Sequence, residues 1–324
     1  MQEFPTLPAT GTTVIRLRRS HLYMPGANAR ALEKSLGLAS DGVILDLEDA
    51  VAPDAKSAAR EQVAAAVERG GYGRREVIVR LNGLDTPWAN DDVDVFGKLA
   101  GRLARPPQRE NASPGPASAT PAQRLDGLLF PKVESAEQVR QIRARLTAVG
   151  AAHVPLWVMI ETPKGVLAAA AIAEADPLLE TLVLGTTDLV AALRARHTAS
   201  RTEVLSALSH CVLVARATNK CVLDGVHLDF RNLETLGQAC EQARDLGFDG
   251  KTLIHPDQIA TANSAFGVTA KQVDDARRLL LTWSTALQEG KGVAVLDGKL
   301  IEGLHVYEAE RVLAIADELV ARRT

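Results

Sequence analysis

Eight short, almost continuously apolar runs recur along the chain between Ser20 and Ile254, each followed by a stretch long enough for a helix. A strand that is apolar at consecutive positions has to be covered on both faces. Strands of that kind alternating with helices meet the requirement in a parallel sheet, and eight of them suffice to close it. The expected strands are Ser20–Pro25, Gly42–Leu47, Glu76–Leu81, Leu125–Pro131, Leu156–Ile160, Thr181–Leu184, Cys221–Val226 and Thr252–Ile254. Between them, Asn28–Leu38, Ala55–Val67, Ala136–Leu146 and Asn232–Leu246 carry the apolar spacing of amphipathic helices. The pattern predicts an α/β fold, a TIM (β/α)8 barrel. The chain is 324 residues long, against about 250 for a typical barrel, so part of it is surplus.

The surplus has three parts. Residues 1–13 read as a disordered leader, followed by the barrel over 14–268. Residues 105–123 (RPPQRENASPGPASATPAQ) offer almost nothing to bury and read as a mobile insertion within it. Residues 269–324 form a C-terminal extension: a helix over Thr269–Gln288, a short strand or hairpin in GVAVLDGKLIEG, and a second helix over His305–Arg322.

Composition narrows the function. A formal net charge of −3 gives no global excess of positive charge for a nucleic-acid partner. No apolar run approaches bilayer length, and the N-terminus lacks the apolar core of a signal peptide. Cys211, Cys221 and Cys240 are too far apart for a C-x-x-C pair, which suits a reducing cytoplasm.

In a barrel of this type the chemistry sits where strands give way to the loops after them. Here those positions are heavily charged. The second run ends with Asp46, Glu48 and Asp49, the third with Arg80 and Asn82, the fourth with Lys132 and Glu134, the fifth with Glu161 and the sixth with Asp188. The last two contribute Asp224 and His255. Ser135 and Thr162 are better read as helix caps. Glu161 and Asp188 each close an apolar strand, where a carboxylate needs a compensating cation. Two carboxylates completed by water and ligand oxygens suit Mg²⁺, and no His/Cys spacing suits zinc. Arg80 is placed to fork onto a carboxylate or enolate oxygen, or else to form an internal salt bridge with Asp46 or Glu48. Lys132 invites a Schiff-base reading, although a lysine beside a carboxylate is more often an ion pair.

The motifs RRSHLYMPG, DGVILDLEDAVAPDAK, VRLNGLDTPW, LLFPKVESAEQV, MIETPKGVL, LGTTDL and GFDGKTLIHPDQI occur in this order. As a set they resemble the citrate lyase beta-subunit-like proteins of the HpcH/HpaI aldolase superfamily, which include malyl-CoA and citramalyl-CoA lyases. The resemblance runs from Arg16 to about Leu319. It implies a barrel that assembles as a homotrimer or hexamer, with the C-terminal extension contacting a neighbouring subunit. It implies Mg²⁺ held by Glu161 and Asp188, with Glu48 and Asp49 behind them on metal-bound waters. Arg80 would bind the carbonyl oxygens of a 2-oxo acid and an acyl-CoA thioester, and Arg19 would lie near coenzyme A. Relatives carry an acid–base aspartate in a segment like GKMID followed by proline. This chain reads GKLIEGLH, which places Glu302 there.

The implied activity is Mg²⁺-dependent carbon–carbon cleavage of a carboxylated β-hydroxyacyl-CoA such as malyl-CoA, citramalyl-CoA or citryl-CoA. The products would be a 2-oxo acid and an acyl-CoA. The alternatives are malate-synthase-like condensation or malyl-CoA thioester hydrolysis on the same site, or service as the beta subunit of a larger citrate lyase complex.

Overall fold

The computed structural model describes residues 16–103 and 123–322. The expected leader and most of the 105–123 insertion lie outside them. Eight parallel strands close into a barrel in chain order, with β8 pairing back onto β1. They are β1 (Ser20–Pro25), β2 (Gly42–Asp46), β3 (Glu76–Arg80), β4 (Gly127–Phe130), β5 (Leu156–Ile160), β6 (Leu179–Leu184), β7 (Cys221–Asp224) and β8 (Gly250–Leu253). The predicted barrel is therefore present. β1 and β5 have the expected limits, whereas β6 begins two residues early and β8 is shifted toward its N-terminus.

Alternation along each strand sorts the apolar runs into two cores. Ile44, Ile78, Leu129, Trp157, Met159, Val183 and Leu223 fill the middle of the barrel. Their neighbours Val43, Leu45, Val77, Val79, Leu128, Val158, Leu182 and Val222 face the surrounding helices. Every residue is thus buried on one side or the other, which is why the strands read as unbroken apolar runs.

Caps fix where the helices begin. Asn28, Ser135, Thr162 and Asn232 each accept a hydrogen bond from the backbone N–H three residues on. Ser135 and Thr162 are caps, as their residue types suggested. The helix expected over Asn28–Leu38 stops at Lys34 and continues as a 3₁₀ turn, Ser35–Gly37. After β6 two helices appear, Thr186–Ala192 and Leu205–Ala217. The first is additional to the eight-unit pattern.

The N-terminal end of the barrel is closed by an ionic cluster. Arg18 donates to Glu76 through Nε (2.9 Å) and Nη2 (2.8 Å), and His21 Nε2 lies 3.2 Å from the same carboxylate. Burial alone would raise the Glu76 pKa, but Arg18 and His21 hold it well below the carboxylate range. Arg18 also lies over the Trp157 ring at 4.9 Å.

The chain divides into two compact units, the barrel unit ending at Phe266 and a tail unit beginning at Gly267. Within the tail, helices Ala270–Gln288 and Gly303–Ala321 pack through Ala276, Ala309 and Val312. β9 (Ala294–Leu296) and β10 (Lys299–Ile301) form the expected hairpin. Among the described residues no helix is long and apolar enough to cross a membrane. Cys211, Cys221 and Cys240 are free thiols.

Gly42 faces the barrel floor, and a β-carbon there would lie 2.3 Å from the buried His21 imidazole. Gly42→Ala is therefore expected to cost about 1–3 kcal/mol through overpacking. Equilibrium urea unfolding would show a lowered midpoint at unchanged slope. A midpoint equal to that of the unsubstituted protein would mean that His21 has room to move.

Candidate active site

Asp46 and Arg80 are register partners at the C-terminal ends of β2 and β3. Both face inward, one layer above Ile44 and Ile78. Arg80 Nε and Nη2 each donate to one oxygen of Asp46 at 2.7 Å, a bidentate fork with both groups buried. The same carboxylate accepts the N–H of Glu48 (2.9 Å) and of Ala50 (3.3 Å). Asp46 therefore orients the guanidinium and the loop that carries Glu48. Nη1 of Arg80 turns to Glu48 Oε2 at 2.7 Å and to the exposed Asp49 at 3.3 Å, and Tyr23 lies under the guanidinium at 4.7 Å. The salt bridges expected as the alternative role for Arg80 are present, to both Asp46 and Glu48.

Glu161 follows β5 and is almost wholly buried. Its side chain fits because residue 185 has none: a β-carbon at Gly185 would stand 2.4 Å from Glu161 Oε2. The N–H of Lys132 donates to Glu161 Oε1 at 2.6 Å, while Lys132 Nζ reaches back to Glu48 Oε1 at 2.8 Å. Lys132 is thus ion-paired, and Glu48 is shared between a lysine and an arginine. Asp188 sits half-buried in the first turn of Thr186–Ala192, near enough for its charge to act on Glu161. Burial first, then the charges of Glu48 and Asp188, push the Glu161 pKa up to about 8. Burial likewise raises that of Glu48, against the pull of Arg80 and Lys132.

Several strand-end residues stand elsewhere. Arg19 precedes β1 and so lies at the opposite end of the barrel, where its Nε and Nη2 fork onto Asp41 at 2.8 Å. Asp224 follows the inward-facing Leu223 and points outward, into ion pairs with Lys251 (2.5 Å) and Arg201. Glu134 pairs with Lys164 at 3.3 Å, and His255 stacks on Phe230 at 4.7 Å between ring centres. Glu302 belongs to the tail unit, where it precedes Gly303–Ala321 and is exposed. Its backbone N–H donates to His305 Nδ1 at 3.1 Å. Asp46 stands where the sequence suggested, as a partner of Arg80, whereas Tyr23 and the backbone of Lys132 were missed; inward parity on β1 would have identified Tyr23.

Five carboxylates, of Asp46, Glu48, Asp49, Glu161 and Asp188, gather around Arg80 and Lys132, with the buried Lys56 ammonium behind them on the carbonyl oxygens of Leu47 and Glu48. The imbalance and the high pKa of Glu161 both call for a further positive charge. Among the described residues no three His, Cys, Asp or Glu groups stand together as a ready-made metal cage. The donor set at the Glu161–Asp188 end is oxygen only and incomplete. That fits a hard ion that keeps waters and takes ligand oxygens, and it does not fit zinc.

The chain is similar over most of its length to several known proteins. The family model for HpcH/HpaI aldolase/citrate lyase matches residues 19–112 and 117–256. A (3S)-malyl-CoA thioesterase of Cereibacter sphaeroides (strain ATCC 17025) is 42% identical, covering 94% of this chain and 96% of that protein. The citrate lyase subunit beta of Escherichia coli (strain K12) is 32% identical, covering 93% and 94% respectively. Among solved structures, the protein CitE from Mycobacterium tuberculosis in complex with magnesium, acetoacetate and coenzyme A superposes with a TM-score of 0.68. It shares 27% identity over 92% of this chain and 97% of that one.

The raised pKa of Glu161 has a measurable sign. In the unfolded chain this carboxyl ionises near 4.5, in the folded protein near 8. The folded state holds the extra proton between those values, so stability falls as pH rises through that window. Glu161→Gln removes the ionisation. Without added metal, it is expected to raise the melting temperature relative to the unsubstituted protein at pH 9 and to change it little at pH 4. Equal differences at both pH values would show that folding leaves the Glu161 pKa unshifted.

Proposed function

The chain belongs to the HpcH/HpaI aldolase/citrate lyase family, and from that premise we propose that it is a Mg²⁺-dependent enzyme acting on a carboxylated 3-hydroxyacyl thioester of coenzyme A, of the malyl-CoA class. The observation that carries this reading is the buried Arg80–Asp46 fork set beside Glu161. It gives a fixed cationic donor next to an oxygen-only cation site, at the barrel end where such folds bind ligands. Glu161 and Asp188 would hold the ion, and when bound it supplies a Lewis acid for a substrate oxygen.

The chain's own residues do the rest. Arg80 offers its Nη1 side to the oxygen on which negative charge builds. Because Asp46 has already fixed the guanidinium plane, little reorganisation is needed as the charge appears. Glu48, and Asp49 at the rim, temper the charge of Arg80 and lie where they would accept hydrogen bonds from ordered water. The Tyr23 ring beneath Arg80 keeps solvent from its lower face. Glu302 is proposed as the group that moves a proton to or from carbon or water, on the strength of the GKLIEG segment.

Thioester hydrolysis is the leading reaction, favoured by the thioesterase relative at 42% identity. Water adds to the thioester carbonyl, the C–S bond breaks, and the departing thiolate takes a proton, giving the free hydroxy diacid and coenzyme A. Carbon–carbon cleavage to a 2-oxo acid and an acyl-CoA is the second reading, favoured by the citrate lyase beta relative. Exposed Val293, Val295 and Leu300 on the tail hairpin favour self-association into the trimer or hexamer.

Incubation with (3S)-malyl-CoA and Mg²⁺ separates the two reactions. Hydrolysis is expected to release free thiol and malate, whereas cleavage would give glyoxylate and acetyl-CoA without free thiol. Arg80→Lys keeps the charge but loses the fork, and is expected to lower kcat/KM by about 10²–10³-fold. Full turnover in excess EDTA would overturn the metal-dependent reading.

A further inference from the structure

Five described residues other than glycine have positive φ: Lys132, Arg194, Arg201, Asn219 and Asp297. Only Lys132, at φ 54°, lies in the carboxylate cluster. This left-handed backbone turns the chain sharply after β4 and Pro131, aiming the N–H of residue 132 at Glu161. Glycine would adopt that conformation without strain and would supply the same N–H. What glycine would lack is the ammonium, so a strained lysine at a site of this kind points to a use for the side chain.

The position of that ammonium is informative. It pairs with Glu48 Oε1, yet Glu48 already has a cationic partner in Arg80 on its other oxygen. The Lys132 side chain is 45% exposed and sits at the lip of a cleft of about 240 Å³. Leu84, Asp85, Glu134, Gln138 and Thr162 form the remaining lining, which leaves Lys132 as its single basic residue. A charge on a flexible stem, half in water and not essential to its present partner, is available to a ligand.

We propose that Lys132 serves as counter-ion to the carboxylate cluster before ligands bind, and as the residue that pairs with the free carboxylate of the incoming substrate. This rests on the functional reading above, in which the ligand is a coenzyme A thioester with a free carboxylate, for which pyruvate is a small carboxylate probe. Repulsion between the ammonium and a divalent cation weakens binding of the cation alone. Attraction to the substrate carboxylate strengthens binding of the anion, so the two ligands bind best together. Loss of the charge must therefore move the two affinities in opposite directions, whereas loss of a merely structural contact would weaken both.

The test is calorimetry on the full-length protein, titrating Mg²⁺ alone and then pyruvate at saturating Mg²⁺. Lys132→Met and Lys132→Gly are expected to bind Mg²⁺ about three- to tenfold more tightly. The same variants should bind pyruvate at least about tenfold more weakly. Lys132→Arg is expected to keep both affinities within about threefold, because it keeps the charge. Lys132→Gly should also melt above Lys132→Met, being relieved of the positive φ, so that a folding effect is visible separately. Weaker Mg²⁺ binding in both the Met and Gly variants, or unchanged pyruvate affinity, would overturn the proposal. If the unsubstituted protein turned over no CoA ester, the functional reading would fail. Opposite shifts in the two affinities would still uphold the role of Lys132.

Discussion

The fork between Asp46 and Arg80 organises the barrel mouth. Two buried charges side by side on β2 and β3 are costly to desolvate, and each is tolerable because the other is there. Asp46 does more than neutralise. By accepting from Nε and Nη2 of Arg80 and from the N–H groups of Glu48 and Ala50, it uses nearly all of its acceptor capacity. The guanidinium plane, the entry of the β2 loop and the direction of Glu48 are set together.

Much of this was legible because burial on both faces leaves its mark on sequence. GVILD and LWVMI are apolar at alternate positions for two different reasons, one set filling the barrel and the other meeting helices. Glu161 and Arg80 stood out because each closes such a run. What the strand-end rule lacks is parity and direction. Asp224 closes β7 but faces outward, where Lys251 and Arg201 receive it. Arg19, brought in by the resemblance rather than by that rule, lies before β1, at the other end of the strand from the mouth. The role of the Lys132 backbone was hidden for another reason: it depends on a backbone torsion, which is not visible in a chain read in order.

Family membership does not choose the bond that breaks. In the proposed reading, hydrolysis and carbon–carbon cleavage would both begin with an anionic thioester against the same arginine and the same carboxylates. They differ in which atom receives a proton and whether water reaches the carbonyl. The barrel residues proposed for the site would serve either reaction. Glu302, one methylene longer than the aspartate the resemblance leads one to expect there, is where the sequence of this chain departs most from the pattern it resembles.

β3 joins the two ends of the barrel. Glu76 at its start is clamped by Arg18 and His21, and Arg80 at its finish is clamped by Asp46. Four residues of strand, about 13 Å, separate these two ionic clamps, with only apolar Val77, Ile78 and Val79 between. The strand behaves as a short rod pinned at both ends. A slip of one residue would turn both charged side chains out of the lumen and break both clamps at once. The height of the arginine at the mouth is thus secured from the floor as well as from its own neighbours, and the active end of the barrel inherits its alignment from the end that does no chemistry.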